Sequence, residues 1–220
     1  MQIERALEAA LNEDRHRFGQ ISIRKTNGDG FVLSHREEED RDDLQAFRNT
    51  PDAAEIARSD DAGNYRPLKT APNLRHGWQL ELVDRSELRL ALDLFYPGRL
   101  AIFGAWKETQ LKTTPLRETL DRQSGMYRIA AKVSDEQIDE LVGNFCRSDG
   151  GCLRTILWKR DARGANPSTK LPPEKFDPDH DQTGRGERAI PLLCQEACNL
   201  LVNECRRVVQ EGRDVSPKRP

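Results

Sequence analysis

Cysteine is the residue through which this chain is best equipped to do chemistry. All five cysteines lie in the last third of the 220 residues: Cys146, Cys152, Cys194, Cys198 and Cys205. Four of them form two spaced pairs, Cys146-x5-Cys152 and Cys194-x3-Cys198, separated by 41 residues. Thiolates are soft ligands that select iron–sulfur centres and zinc. Positions i and i+4 of a helix share one face, ~6 Å apart along the axis. Cys194 and Cys198 are therefore expected to grip one edge of a metal centre from a final helix. The glycine-containing loop Arg147-Ser148-Asp149-Gly150-Gly151 can curl around an object larger than one ion. Four cysteines from two segments suffice for a 4Fe-4S or a 2Fe-2S cluster. Structural zinc prefers tighter C-x2-C knuckles. Four unligated core thiols are the plain alternative, because free cysteine is among the most buried residue types. The spacing ranks a cluster first and leaves the other two open.

Cys205 stands apart. Cys194, Cys198, Leu201, Cys205 and Val208 follow helical spacing, which places Cys205 seven residues beyond Cys198. That is ~10 Å along a helix axis, too far to share one centre. It is read as a buried core thiol.

Other candidates are weaker. The acidic run Glu37 to Asp43 reads as mixed charge on a solvated helix start rather than a metal site. Asp177-Pro178-Asp179-His180-Asp181 starts like a calcium loop, but Gly184 comes late and Arg188 stands where a bidentate Glu is required. Gly28-Asp29-Gly30 and Gly184-Arg185-Gly186 lack the rest of a phosphate loop. His16, His35, His76 and His180 are scattered single residues, and no nucleophile–base set is readable. The net charge of −2 excludes a strong global field for nucleic acid or an anionic membrane. No apolar run reaches the ~18 residues of a membrane span, and the start lacks an apolar signal core. A reducing cytoplasm is the expected compartment, where clustered cysteines favour ligation over disulfides.

The elements that must position these thiols follow from periodicity. Residues 2–14 predict an amphipathic helix. Phe18 to Arg24 and Phe31 to His35 alternate as two strands around Asn27-Gly28-Asp29-Gly30, a hairpin. Residues 60–77 read as irregular, with Pro67 and Pro72. Trp78 to Val83 predicts a strand and Glu87 to Phe95 a helix ended by Pro97-Gly98. Leu100 to Trp106 is ambiguous. Thr114 is the expected N-cap of a helix with Pro115 at its first position. Ser134-Asp135-Glu136-Gln137 is a capping box that opens a helix ending at Cys146. A final helix is expected from about Pro191 to Gly212, after a long polar stretch from Asp161 to Arg188. The fold class is α+β: a small β-sheet with packed helices, a long cluster-enclosing loop and a C-terminal helix.

Three long motifs resemble a known family. They are Asn64 to Trp78 (NYRPLKTAPNLRHGW), Asn144 to Trp158 (NFCRSDGGCLRTILW) and Ile190 to Leu201 (IPLLCQEACNLL), with Gly125-Met126-Tyr127 between. Together they resemble the 4Fe-4S iron–sulfur cluster domains found beside sirohydrochlorin cobaltochelatase-like modules. The resemblance implies a stabilising region over 1–130, a cluster-binding region over 131–212 and a tail at 213–220. It implies one 4Fe-4S cluster held by Cys146, Cys152, Cys194 and Cys198, with Cys205 outside the ligand set. The chain has no room for a chelatase module beside the matching region, so chelatase activity is not carried over. A separately encoded chelatase or redox partner is the expected partner. An anionic tetrapyrrole is a further expected ligand, with Arg66, Lys69, Arg75 and Arg128 as a candidate basic surface. Arg147 and Arg154 would place positive charge beside the cluster. Four thiolates leave no open iron, which points to a redox or structural accessory role rather than substrate activation. The alternative is a zinc-stapled interaction module without redox activity.

Overall fold

The computed structural model describes residues 7–8, 11, 15–66, 73–146, 152–165 and 189–214. Two compact units divide the chain: Met1–Leu111 with Asp177–Leu193, and Lys112–Phe176 with Cys194–Pro220. The class is α+β, as expected.

The first unit is built on a mixed six-stranded sheet. Its strands are β1 (Arg15–Phe18), β2 (Ile21–Lys25), β3 (Phe31–His35), β4 (Gln45–Phe47) and β5 (Trp78–Leu82), with Ala189–Ile190 as the sixth. Their order is β4-β5-β3-β2-β1 followed by Ala189–Ile190. The expected hairpin is present: β2 and β3 run antiparallel, pairing Ile21 with His35 and Lys25 with Phe31. The strand expected from Phe18 to Arg24 is in fact broken. Phe18 closes β1 and pairs with Ile21 across the two-residue turn Gly19-Gln20. Gly19 supplies the turn with φ +64°, and a Cβ there would sit 2.7 Å from Tyr96 Oη.

Alternation decides which face is buried. Trp78, Leu80 and Leu82 of β5 point inward, as do Ile21 and Ile23 of β2. Against them pack α1 (Asp52–Ile56) and α2 (Arg85–Phe95), the latter through Leu88, Ala91, Leu92 and Phe95. Trp78 stacks on Phe95 at 5.1 Å, and Phe18 meets Tyr96 edge-on at 5.2 Å. Asp84 caps α2, its side chain accepting from Glu87 N–H. The ambiguous run is resolved as α3 (Arg99–Lys107).

The acidic run is not a helix start. Residues 36–44 form turns without a helix, and Glu38 is buried, accepting from Gly77 N–H at 2.7 Å and from Arg41 at 2.6 Å. Residues 60–66 are irregular apart from a bridge between Ser59 and Tyr65, and 67–72 lie outside the described residues. Most of the helix expected at 2–14 also lies outside them. Leu7 and Leu11 are buried, and Leu11 N–H donates to Leu7 O at 2.9 Å.

The second unit is mostly helical. It contains α4 (Leu116–Asp121), a 3₁₀ segment (Gly125–Lys132), α5 (Asp135–Leu141), a π-type turn (Val142–Cys146) and α6 (Asn199–Asp214). Its core joins Leu116, Leu120, Val133, Ile138, Val142, Trp158 and, from α6, Leu201, Val202, Cys205 and Val209. Thr114 does not cap α4. Pro115 holds that place without a side-chain bond, and Thr114 N–H instead donates to Gln195 O at 3.0 Å. The capping box of α5 is present in both directions, Gln137 N–H to Ser134 Oγ and Ser134 N–H to Gln137 Oε1. No described helix is long and apolar enough to cross a membrane.

Candidate metal centre

Three of the five thiols lie at or beside the ends of structured elements. Cys146 closes the π-type turn that continues α5. Such turns widen a helix locally and recur at functional sites. Cys152 lies in irregular chain ahead of the short strand Thr155–Ile156, and both cysteines are half-buried. Arg147 and the Gly150-Gly151 pair lie outside the described residues, as do His180, Lys69, the polar stretch over 166–188 and the tail beyond 214.

The second pair is positioned differently from the expectation. Cys194 and Cys198 do not share a helical face. Cys194 ends the short strand Leu193–Cys194, its carbonyl accepting from Leu157 N–H at 3.0 Å. The helix begins only at Asn199, and Cys198 sits at its N-terminus, its carbonyl accepting from Val202 N–H at 3.1 Å. Pro191 disfavours helix before it, and β-type pairing takes the residues that follow. The consequence is favourable for an anionic centre. A helix N-terminus carries unpaired N–H groups and the positive end of the helix dipole.

The electrostatics around Cys194 show which groups are neighbours. Its side chain is 8% exposed, and burial pushes its thiol pKa up. Arg154 and the Trp158 side chain oppose that shift, while the thiols of Cys152 and Cys198 add to it. Cys152 and Cys198 are thus both electrostatic neighbours of Cys194, and Cys198 is also a neighbour of Cys205. Cys146 and Cys198 pack on the same apolar core that contains Cys194. Trp158 Nε1 is buried without a hydrogen bond of good geometry, yet lies near enough to the Cys194 sulfur to favour its thiolate. In the free thiol form, Cys194 Sγ donates to Glu196 O at 3.1 Å.

Cys205 is 0% exposed, and burial pushes its thiol up to about 12. It lies on the inner stripe of α6 among Leu201, Val202 and Val209. A thiol so reluctant to ionise is a poor ligand and a good core residue.

Two other expectations change. Arg66 is not part of a basic surface: it is 5% exposed, and its Nη1 donates to Ala57 O at 3.1 Å. Arg75 is half-buried with its guanidinium over the Phe47 ring, and Arg128 belongs to the other unit. His35 and His76 are not isolated, because their rings lie 3.9 Å apart. Nothing in local spacing links residues 41 positions apart.

Comparison with known proteins adds three findings. Residues 108–207 match the family described as the 4Fe-4S iron-sulfur cluster binding domain. Residues 3–110 match the family described as the DR2241 stabilising domain. The solved structure of DR2241 from Deinococcus radiodurans matches with a TM-score of 0.75 and 28% identity, over 96% of this chain and 41% of that one. That protein is described as multi-domain, with structural similarity to chelatases and two additional novel domains. The chain thus spans about two fifths of its length. No curated protein matches.

Proposed function

We propose that this chain, which joins a member of the DR2241 stabilising-domain family to a member of the 4Fe-4S iron-sulfur cluster binding-domain family, is a redox accessory protein. In this reading Cys146, Cys152, Cys194 and Cys198 hold one 4Fe-4S cluster. The observation that carries it is the convergence of a buried Cys194 with Cys152 and Cys198, beside the core on which Cys146 packs.

The donor set fits the group. Thiolates around one zinc ion, with Zn–S near 2.3 Å, sit about 3.8 Å apart. Among the described residues, no three cysteines bring their sulfurs within 4.8 Å of one another. A cubane, which carries an iron at four separate corners, accepts a wider spread. This favours the cluster over the zinc-stapled module.

A bound 4Fe-4S cluster supplies one-electron transfer. The chain's own residues then set how readily that happens. Arg154 places a positive charge beside Cys194, which stabilises added negative charge. The Trp158 side chain also favours the thiolate form of Cys194, and donors near sulfur raise a cluster's potential. Cys146, Cys152 and Cys198 are each half-buried. The second unit already possesses an apolar core, which lessens the need for a purely structural staple.

The partner we propose is a chelatase-type protein acting on an anionic tetrapyrrole. Its support is the chelatase-like description of DR2241, of which this chain matches a part. The test is anaerobic redox titration followed by EPR. A redox role requires a one-electron signal that appears on reduction and disappears on reoxidation, with circular dichroism unchanged. A cluster that is lost on reduction, or never reduced, leaves the structural role.

A further inference from the structure

Away from the thiols, the first unit brings together a second set of ligand types. His35, Glu37 and His76 each offer one ligand atom, all within 4.8 Å of one another. Asp61 clamps His76 at two points. Its Oδ1 accepts from His76 N–H at 2.7 Å, and its Oδ2 lies 2.8 Å from His76 Nδ1. With Nδ1–H donated to Asp61, the remaining ring nitrogen, Nε2, faces Glu37 Oε2 at 3.4 Å. A neutral imidazole nitrogen and a carboxylate oxygen both present lone pairs there. That arrangement calls for a positive charge at Nε2, either a proton or a metal ion.

His35 bears on the choice. It is 0% exposed, and its Nε2 has no hydrogen-bond partner among the described residues. Its Nδ1 accepts the Glu37 N–H at 3.3 Å, which in the neutral ring leaves the proton on a buried, unpartnered Nε2; a metal ion at this ring displaces either that proton or that hydrogen bond. A proton on His76 would leave this buried ring as it is, beside a charged imidazolium with ring centroids 3.9 Å apart. A metal ion would instead draw on both rings. Asp61 then has the part that outer carboxylates play at histidine-bound metals: it fixes the tautomer and orients the ring.

We infer that His35, Glu37 and His76 form a binding site for a divalent transition-metal ion of the zinc class, oriented by Asp61. Two imidazoles and one carboxylate suit zinc and its neighbours rather than calcium or magnesium, which take all-oxygen shells. Three protein ligands leave a fourth position open. Glu37 and His76 are exposed, so that position faces solvent and the ion can exchange. Ligand atoms around a tetrahedral zinc ion stand about 3.4 Å apart, so binding draws the trio inward from the present spread. The site uses none of the cysteines and stands independently of the cluster.

The test uses the full chain with its cysteine centre loaded, titrated with zinc by calorimetry and followed by zinc-edge X-ray absorption. The expected result is one zinc per chain in a nitrogen–oxygen shell with imidazole scattering and no sulfur. His76→Gln and Glu37→Gln, both at exposed positions, should each weaken binding at least tenfold. Asp61→Asn should weaken it about 10- to 100-fold, the range of outer-partner losses, while circular dichroism stays unchanged. Zinc found only in a sulfur shell, no zinc bound at all, or affinity unchanged in both His76→Gln and Glu37→Gln would overturn the inference.

Discussion

At the scale of single residues, surroundings separate Cys194 from Cys205. Burial pushes the Cys194 thiol up, but Arg154 and the Trp158 side chain oppose that shift and Cys152 and Cys198 are its neighbours. Cys205 is buried with its pKa pushed up to about 12. Cys205→Ala should therefore keep full iron content and cost about 1 kcal/mol of stability, a small cavity's worth, whereas Cys194→Ala should lose the iron. Iron analysis beside thermal unfolding reads both. Trp158→Phe should lower the cluster's reduction potential, because it deletes the polar group of the side chain that favours the Cys194 thiolate, and should cost about 1–2 kcal/mol in packing. Voltammetry of the loaded protein measures the first effect.

Tyr96 offers a pH test in the other unit. Burial pushes its hydroxyl from 10 up to about 12, and the hydroxyl accepts from Gln20 N–H at 2.9 Å. The unfolded chain ionises Tyr near pH 10 while the folded chain still holds the proton. The protonated form's contribution is thus complete below pH 10 and falls away as pH rises toward 12. Denaturant melts of the first unit should show this alkaline loss, and Tyr96→Phe should flatten it.

At the scale of elements, what sequence reveals depends on how local the deciding force is. The Ser134–Gln137 box, the inward face of β5 and the start of α2 near Asp84 rest on neighbours a few positions away. Periodicity and capping chemistry expose them directly. The helical spacing from Cys198 through Leu201, Cys205 and Val208 is real, but extending it back to Cys194 was wrong. There Leu157 N–H pairs with the Cys194 carbonyl, a partner 37 positions distant. The Gly19-Gln20 turn was hidden because the alternation of Phe18, Ile21 and Ile23 continues across it. Two predictions belong here. Gly19→Ala should destabilise the first unit by about 2–4 kcal/mol, through positive φ and collision with Tyr96. Ser134→Ala should cost about 1 kcal/mol by removing the cap of α5. It should also speed iron loss, since that helix delivers Cys146. Chemical denaturation and timed iron release check the two.

At the scale of the molecule, the chain divides its work between two units, each with its own core. The thiols named as ligands all belong to the unit built from Lys112–Phe176 and Cys194–Pro220. The cofactor class was legible because four cysteines in one third of a chain are rare, and long motifs around them match a family. The meeting of His35 with His76 was not legible, because only the sheet and the Asp61 turn bring them together. Metal removal should act unequally. Stripping iron should lower the melting of the helical unit and leave the sheet unit's transition in place, since hydrogen exchange reports each unit separately.

The most direct measurement is the iron, acid-labile sulfide and zinc content of anaerobically purified protein, repeated with each of the five cysteines changed to serine. Four irons and four sulfides per chain are expected, lost in the variants at 146, 152, 194 and 198 and retained at 205. Stoichiometric zinc without sulfide, or iron that survives any one of those four changes intact, would contradict this expectation.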